Sequence, residues 1–435
     1  MKRTYTILYC LSIILIEPWG NSRGDIWTQP KILVLLLITL LNLSLLWEER
    51  LNLIIPRNWK ITALLWSIFL SIGLLATLQS PFPYTSLWGQ AQMGDGWLYW
   101  CLVAGFTLSN ALVLKLRPEL LRCQYLGLIS GGIILAVAIF PQAINWQIDY
   151  TATTGQLRQD NILVSTIFRN QQPIGFYSHR GHGAIVLVMV AMSIVSFKNQ
   201  PRVFKNLTWV FLSMIIIALV LTQTRAAILA LTIAITYWCY QTRKASLSIT
   251  VICLALLLIA AISSQRQIAQ LRQFNFNPAT IAIKNLCSDR VLLWQQALPA
   301  IRERPLLGWG FDGFGIAYAD GQTSSLEATI LALNEASFDY LEAGQIKRSP
   351  LPTYKAHNLI LDTTLSVGIL GTITYLSLFG YCCYQVKNSS GYGMESVAIT
   401  YFVFTLTWFE CAQFSHLAWW TLSNQMTIVI ADFDL

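Results

Sequence analysis

Charge is the first thing this sequence lacks. Only 11% of its 435 residues are Asp, Glu, Lys or Arg, where a soluble domain carries about 25%. That shortage excludes an ordinary soluble enzyme and a disordered chain. Nucleotide and metal motifs are missing too. There is no P-loop, no G-x-G-x-x-G after a strand and no H-E-x-x-H, so the chain offers no ATP site. The nine cysteines are an odd count without C-x-x-C spacing, and most fall in apolar stretches. Neither a disulfide scaffold nor a metal knuckle follows, and a pairing of Cys287 with Cys411 cannot be assumed.

Long apolar runs are what the chain has instead, with 55% hydrophobic residues. Crossing the hydrocarbon takes roughly 20 mainly apolar residues. On that ruler twelve spans are predicted, near 4–19, 31–47, 61–79, 97–114, 124–144, 182–197, 206–222, 226–241, 246–263, 358–386, 396–411 and 416–431. Basic residues alternate between loops. Arg50, Arg57 and Lys60 follow the second span and Lys115, Arg117 and Arg122 the fourth, while 80–96 has none. By the positive-inside rule both termini are cytoplasmic. The net charge of +8 then reads as an orientation signal, and the bilayer, not nucleic acid, as the partner. Glu17-Pro18-Trp19 is no small-residue cleavage site, so no cleavable signal peptide is expected.

The predicted fold class is an all-α polytopic membrane protein of about twelve transmembrane helices. Residues 1–263 form an N-terminal membrane domain of about nine spans. Residues 264–357 form an extracytoplasmic, helical loop domain, and 358–435 a C-terminal membrane segment of about three spans. Within the loop domain, Ser288 or Asp289 caps a helix through 303 that carries Val291, Trp294, Leu298 and Ile301 on one face. Pro299 is expected to kink it and Pro305 to end it. Gly308, Gly310, Gly313 and Gly315 are expected to form a tight irregular turn.

Ionisable residues near membrane depth are costly and mark function. Arg225 lies in Thr222-Gln223-Thr224-Arg225 between two apolar segments. It is either a snorkelling side chain or an anion site whose planar fork fits phosphate oxygens. Ser178-His179-Arg180-Gly181-His182 opens the sixth span. It is either a polar entrance or a substrate contact, since a zinc site would want a third ligand that is not nearby. Lys355-Ala356-His357-Asn358 marks re-entry into the membrane. His357 is a helix cap or a proton acceptor; Asp362 can orient it only if the helix start is irregular. Glu410 and His416 form a weaker pair.

These pieces, in order, resemble a known family. Thr222 to Ala226 fits T-x-[ST]-R-[GA]-A. Arg290, Trp294 and Pro305-Leu306-Leu307-Gly308-Trp309-Gly310 fit R-x-x-x-W followed by P-L-L-G-x-G. His357-Asn358 leads into Val367-Gly368-Ile369-Leu370-Gly371. Leu87-Trp88-Gly89 with Asp95-Gly96-Trp97 looks like the family's first outer loop. Gly175-Phe176 with Arg180-Gly181-His182 looks like its G-x-F-x-x-R-N-H-x-A element, with Gly181 where Asn is usual. The chain resembles the O-antigen ligase family, which includes O-antigen polymerases and bacterial protein O-oligosaccharyltransferases, over about residues 80–380.

The resemblance implies a C-type membrane glycosyltransferase of the bacterial inner membrane, inverting, and independent of nucleotide, metal or other cofactor. Its donor would be a polyprenyl-diphosphate-linked glycan and its acceptor a hydroxyl of a lipid, glycan or protein. His357 and Arg225 would be catalytic; Arg180, His182 and Arg290 would bind substrate. Residues 320–350 carry no motif that names an acceptor. The last span reaches almost to the end of the given chain, as expected of a ligase or polymerase more than of a large protein-glycosylating enzyme. Two alternatives stay open: a transporter of the inorganic-carbon uptake type, which would rely on Asp362 and Glu410, and a non-catalytic scaffold for envelope assembly.

Overall fold

The computed structural model describes residues 1–144, 146, 173–196, 202–242, 290–324, 328–334, 337–351, 353–390 and 393–424. The chain is mostly helical. In order the helices are α1 (Lys2–Ile14), α2 (Gln29–Glu48), α3 (Arg57–Leu78), α4 (Pro83–Trp88), α5 (Trp97–Leu116), α6 (Glu119–Ala143), α7 (Arg180–Ser196), α8 (Arg202–Leu221) and α9 (Arg225–Gln241). They continue as α10 (Arg290–Glu303), α11 (Gly313–Ser324), α12 (Leu359–Ser390), α13 (Glu395–Leu406) and α14 (Ser415–Ser423). A single π turn, Gly24–Thr28, leads into α2.

Among the described residues, five helices are long and apolar enough to cross a membrane: Gly24–Glu48, Arg57–Leu78, Trp97–Leu116, Glu119–Ala143 and Leu359–Ser389. Their side chains are arranged as lipid demands. On α2, Leu33, Leu36, Leu37, Leu40 and Leu43 are exposed in an i, i+3, i+4, i+7 stripe. The polar Thr39 and Asn42 of the same helix point inward, and Asn42 accepts a 2.6 Å hydrogen bond from Tyr5. Apolar outside and hydrogen-bonded polar inside is the bilayer pattern. The chain is therefore a helical membrane protein. α7 is apolar on all sides and buried almost throughout. Its neighbours are α6, α8, α9 and α13. An aromatic cluster fills the centre, with Trp66 and Trp419 at 4.5 Å between ring centroids and Trp100, Phe69 and Tyr375 around them.

Several elements differ from expectation. The span placed at 4–19 is a helix of 13 residues that ends where the backbone turns extended at Leu15, short of a crossing. α9 matches the span placed at 226–241, whereas α13 and α14 have only 12 and 9 residues. The segment 246–263 lies outside the described residues, as does the rest of the span placed at 416–431. Within 264–357 the expected helix is present as α10, with Pro299 inside it and Pro305 just past its end. The cap candidates Ser288 and Asp289 lie outside the described residues. The packed face is Leu293, Ala297, Ala300 and Ile301, while Val291 and Leu298 are exposed. Gly313 and Gly315 belong to α11 and not to a turn.

The described part of 264–357 is also not purely helical. β1 (Thr329–Leu333), β2 (Ser337–Glu342) and β3 (Gln345–Pro350) form an antiparallel sheet in that order. Glu342 pairs with Gln345 across a two-residue turn whose residues, Ala343 and Gly344, both have positive φ (50° and 77°). That is the primed turn favoured in tight hairpins. Phe338 and Tyr340 alternate inward onto Ala319, Leu351 and Tyr354, which fixes the register.

Candidate active site

Helix α12 is the frame of the site, and it is broken. At Gly368 the backbone takes φ 68°, ψ −176°, which a side chain would resist. The break frees peptide groups that must bond elsewhere. The Pro305–Gly310 loop meets them. Trp309 N donates to Leu365 O (2.7 Å), Gly310 N to Ser366 O (3.0 Å), and Ile369 N to Pro305 O (2.8 Å). The P-L-L-G-W-G sequence thus serves as a plug for an interrupted helix.

The start of α12 is equally specified. Asn358 is its N-cap: Oδ1 accepts Ile360 N (3.0 Å) and Leu361 N (3.1 Å), the usual capping geometry. Its Nδ2 reaches Leu406 O at the end of α13 (3.0 Å). One turn on, the Asp362 carboxylate reaches back to Ala356 N (2.5 Å) and Asn358 N (3.3 Å). These two bonds bracket His357, which is held at φ 58°. Two other non-glycine residues share that strained region at sequence motifs, Gln223 (φ 52°) beside Arg225 and Asp312 (φ 60°) after Gly310. Such outliers gather at functional sites.

His357 Nδ1 lies 3.1 Å from Lys355 O. A carbonyl only accepts, so Nδ1 carries the proton and Nε2 is left as the basic nitrogen. Burial, and then the charge of Arg290, pushes the His357 imidazole down to about 4. It is neutral at physiological pH. Arg290 and Trp294, one turn apart on α10, have distinct partners here. The guanidinium of Arg290 lies 5.1 Å from the Trp408 ring centre, and Trp294 Nε1 donates to Ala356 O (3.0 Å). The R-x-x-x-W spacing is the spacing needed to touch both sides of the His357 turn.

Trp408 and Phe409, between α13 and α14, gather the remaining groups. His357 lies 4.7 Å from Phe409 and 5.7 Å from Trp408 between ring centres. His179 is 5.2 Å from Trp408, and His182 is 5.5 Å from Phe409. Burial drives His179 well below the usual histidine range, helped by His182, Arg180, His357 and Arg23. Arg23 and Arg180 are therefore in electrostatic reach of the same spot. His182 is fully buried, with Nδ1 3.3 Å from both Ser178 Oγ and Gln413 Oε1. Gln413 Nε2 also donates to Thr28 Oγ1, Gln92 O and Ser178 Oγ. The structure thus brings together His357, Arg290, His182 and the α7 start that carries Arg180. Arg225 is one helix over: half-buried, it opens α9, which packs on α7 and α13. Glu410 does not pair with His416; it accepts from Tyr375 (3.0 Å) and from Tyr401.

A buried charge cluster, absent from the sequence expectations, supports the His357 turn from below. Lys355 Nζ lies 2.6 Å from Asp95 Oδ2 and 2.9 Å from Asp312 Oδ1. Asp312 Oδ2 also accepts Gln90 N (2.5 Å). Burial opposes the charge on Lys355, but Asp312, Asp95 and Asp362 outweigh it and hold its pKa well above the ordinary lysine value. Burial raises Asp95 despite Lys355, and Asp312 adds to the rise. A cavity of about 20 Å³ lies among Asp95, Lys355, Asp362, Ser366 and Glu410, room for one water. Another buried lysine, Lys31, donates to Leu15 O, Trp27 O and Phe176 O at 2.8–3.2 Å. It pins the loop that leads into Arg180. Among the described residues no group of His, Cys, Asp and Glu could hold a metal ion. Each described cysteine, Cys411 included, is a free thiol.

The fold and this site define a polytopic helical membrane protein with a neutral, strained histidine among arginines where several helices end. Residues 209–376 match the family model described as O-antigen ligase, and the chain carries a domain of that family. The match takes in Arg225, Arg290, the Pro305–Gly310 plug, His357 and the Gly368 break. Arg180, His182 and Trp408 lie outside it. No curated protein matches the chain in sequence.

Proposed function

We propose that the protein transfers a glycan from a polyprenyl-diphosphate carrier to an acceptor hydroxyl. The reaction would occur at the outer face of the bacterial inner membrane, with both termini cytoplasmic and 264–357 extracytoplasmic. The observation that carries this reading is His357, neutral and fixed in a left-handed turn beside Arg290, inside the matched domain. His357 Nε2 takes the acceptor's proton as the oxygen attacks the anomeric carbon. Arg225 and Arg180 bind the diphosphate and stabilise its growing charge, with Arg290 assisting. Attack opposite the leaving diphosphate inverts the anomeric centre. His182, fully buried, acts as a wall that positions the α7 start. No step calls on a metal or nucleotide.

The test is transfer by purified full-length protein, given polyprenyl-diphosphate glycan and candidate acceptors without ATP or divalent metal. Activity lost in both Arg225→Ala and His357→Ala supports the reading; activity retained in both overturns it.

The transport reading draws support from the broken α12 and from buried Asp362 and Glu410, features that ion pathways use. Against it, Asp95, Asp312, Asp362 and Glu410 surround a single lysine. The cavity among Asp95, Lys355, Asp362 and Glu410 holds no more than a water, too little room for bicarbonate. Bicarbonate uptake by proteoliposomes of the pure protein would revive it.

A further inference from the structure

We propose that Trp408 is a binding residue of this same site, its indole N–H donating to an oxygen of the donor's diphosphate. The assignment rests on the glycan-transfer reading. Its ground is the company Trp408 keeps. The ring is flanked by His179 (5.2 Å), His357 (5.7 Å) and the Arg290 guanidinium (5.1 Å). His357 and Arg290 are the general base and a phosphate-binding fork of the proposed reaction. An aromatic face under a guanidinium holds its plane, so Trp408 sets the orientation in which Arg290 meets an anion.

The nitrogen gives the second argument. Trp408 Nε1 is buried and has no acceptor among the described residues, whereas buried donors are normally paired. Trp27, Trp66 and Trp419 also have unpaired indole nitrogens, but those rings are fully enclosed in the bundle. Trp408 is only half-buried, and it stands where the arginines and histidines meet. An unpaired donor there has a use that one in the apolar core does not.

Gly181 supplies the third. A Cβ at that position would stand 2.7 Å from Trp408 Cζ2, so the indole occupies the space a side chain at 181 would take. It is the six-membered edge of the indole that fills this space, which fixes the ring beside Arg180 and His182.

The experiment measures binding of geranylgeranyl diphosphate to full-length protein in nanodiscs, with geranylgeraniol as a control for the lipid tail. Trp408→Phe keeps the ring and removes the N–H. Loss of a hydrogen bond to a charged group predicts roughly tenfold or more weaker diphosphate binding, with geranylgeraniol binding and thermal unfolding unchanged. Equal diphosphate affinity in W408F and wild type overturns the assignment while leaving the glycan-transfer reading intact. If wild type itself does not bind the diphosphate above the alcohol, that reading fails and the assignment with it. Should W408F not fold, Gly181→Ala decides, because its methyl displaces the indole. Weakened diphosphate binding with unchanged alcohol binding supports the role; unchanged diphosphate binding overturns it.

Discussion

His357 is held through its backbone as well as through its ring, which bonds Lys355 O and packs on Phe409 and Trp408. Asp362 supplies two of the backbone contacts, and each of its oxygens accepts a different backbone N–H. Asp362→Asn turns one acceptor into a donor facing a donor. The expected result is a loss of about 1–3 kcal/mol in stability, and a kcat for glycan transfer that falls with KM nearly unchanged. The pH profile tests the histidine itself. With the imidazole pushed down to about 4, transfer should stay level from pH 8 to near 5 and fail as pH approaches 4. Removing Arg290 removes a positive neighbour, so His357 is protonated more easily and the acid limb moves to higher pH. An acid limb that stays in place in Arg290→Met means that Arg290 does not act on His357.

At the scale of elements, the break in α12 and the Pro305–Gly310 loop are one unit. A Cβ at Gly368 would overlap the backbone of Leu306. Gly368→Ala should cost at least about 1–2 kcal/mol from the left-handed backbone alone, read as a lower midpoint in thermal unfolding. Much of this scale was legible in sequence. Apolar runs gave most helices, and the motifs singled out Arg290, Trp294, His357 and the glycines around the plug. The sheet was missed although its signal is local. Phe338 and Tyr340 alternate with polar residues, and Ala343-Gly344 is a hairpin turn, but mixed charge and the preceding helical pattern hid them. The charge cluster was not legible, because Asp95 and Lys355 are 260 positions apart and nothing local marks either as a partner. Trp408 was hidden for the same reason: its neighbours come from α7, α10 and the start of α12.

At the scale of the whole molecule, the proposed topology makes a direct prediction. A cysteine at Lys347, on exposed β3, should react with a membrane-impermeant maleimide in intact cells. A cysteine at Arg50, after α2, should react only after permeabilisation. Equal labelling at both overturns the orientation.

The Lys355 cluster is a matter of assembly. Asp95 lies before α5, Asp312 follows the plug, and Lys355 precedes α12, so one ammonium closes three loops on one another. Removing one partner of a buried ion pair costs about 3–5 kcal/mol, and Lys355→Met should leave protein that aggregates on extraction. The consequence reaches protein engineering. The matched stretch, 209–376, contains Lys355 and Asp312 but not Asp95. A chimera that transplants this stretch into another backbone would import Lys355 with Asp312 but without Asp95, its second carboxylate, and residues 83–97 would have to be transplanted with it.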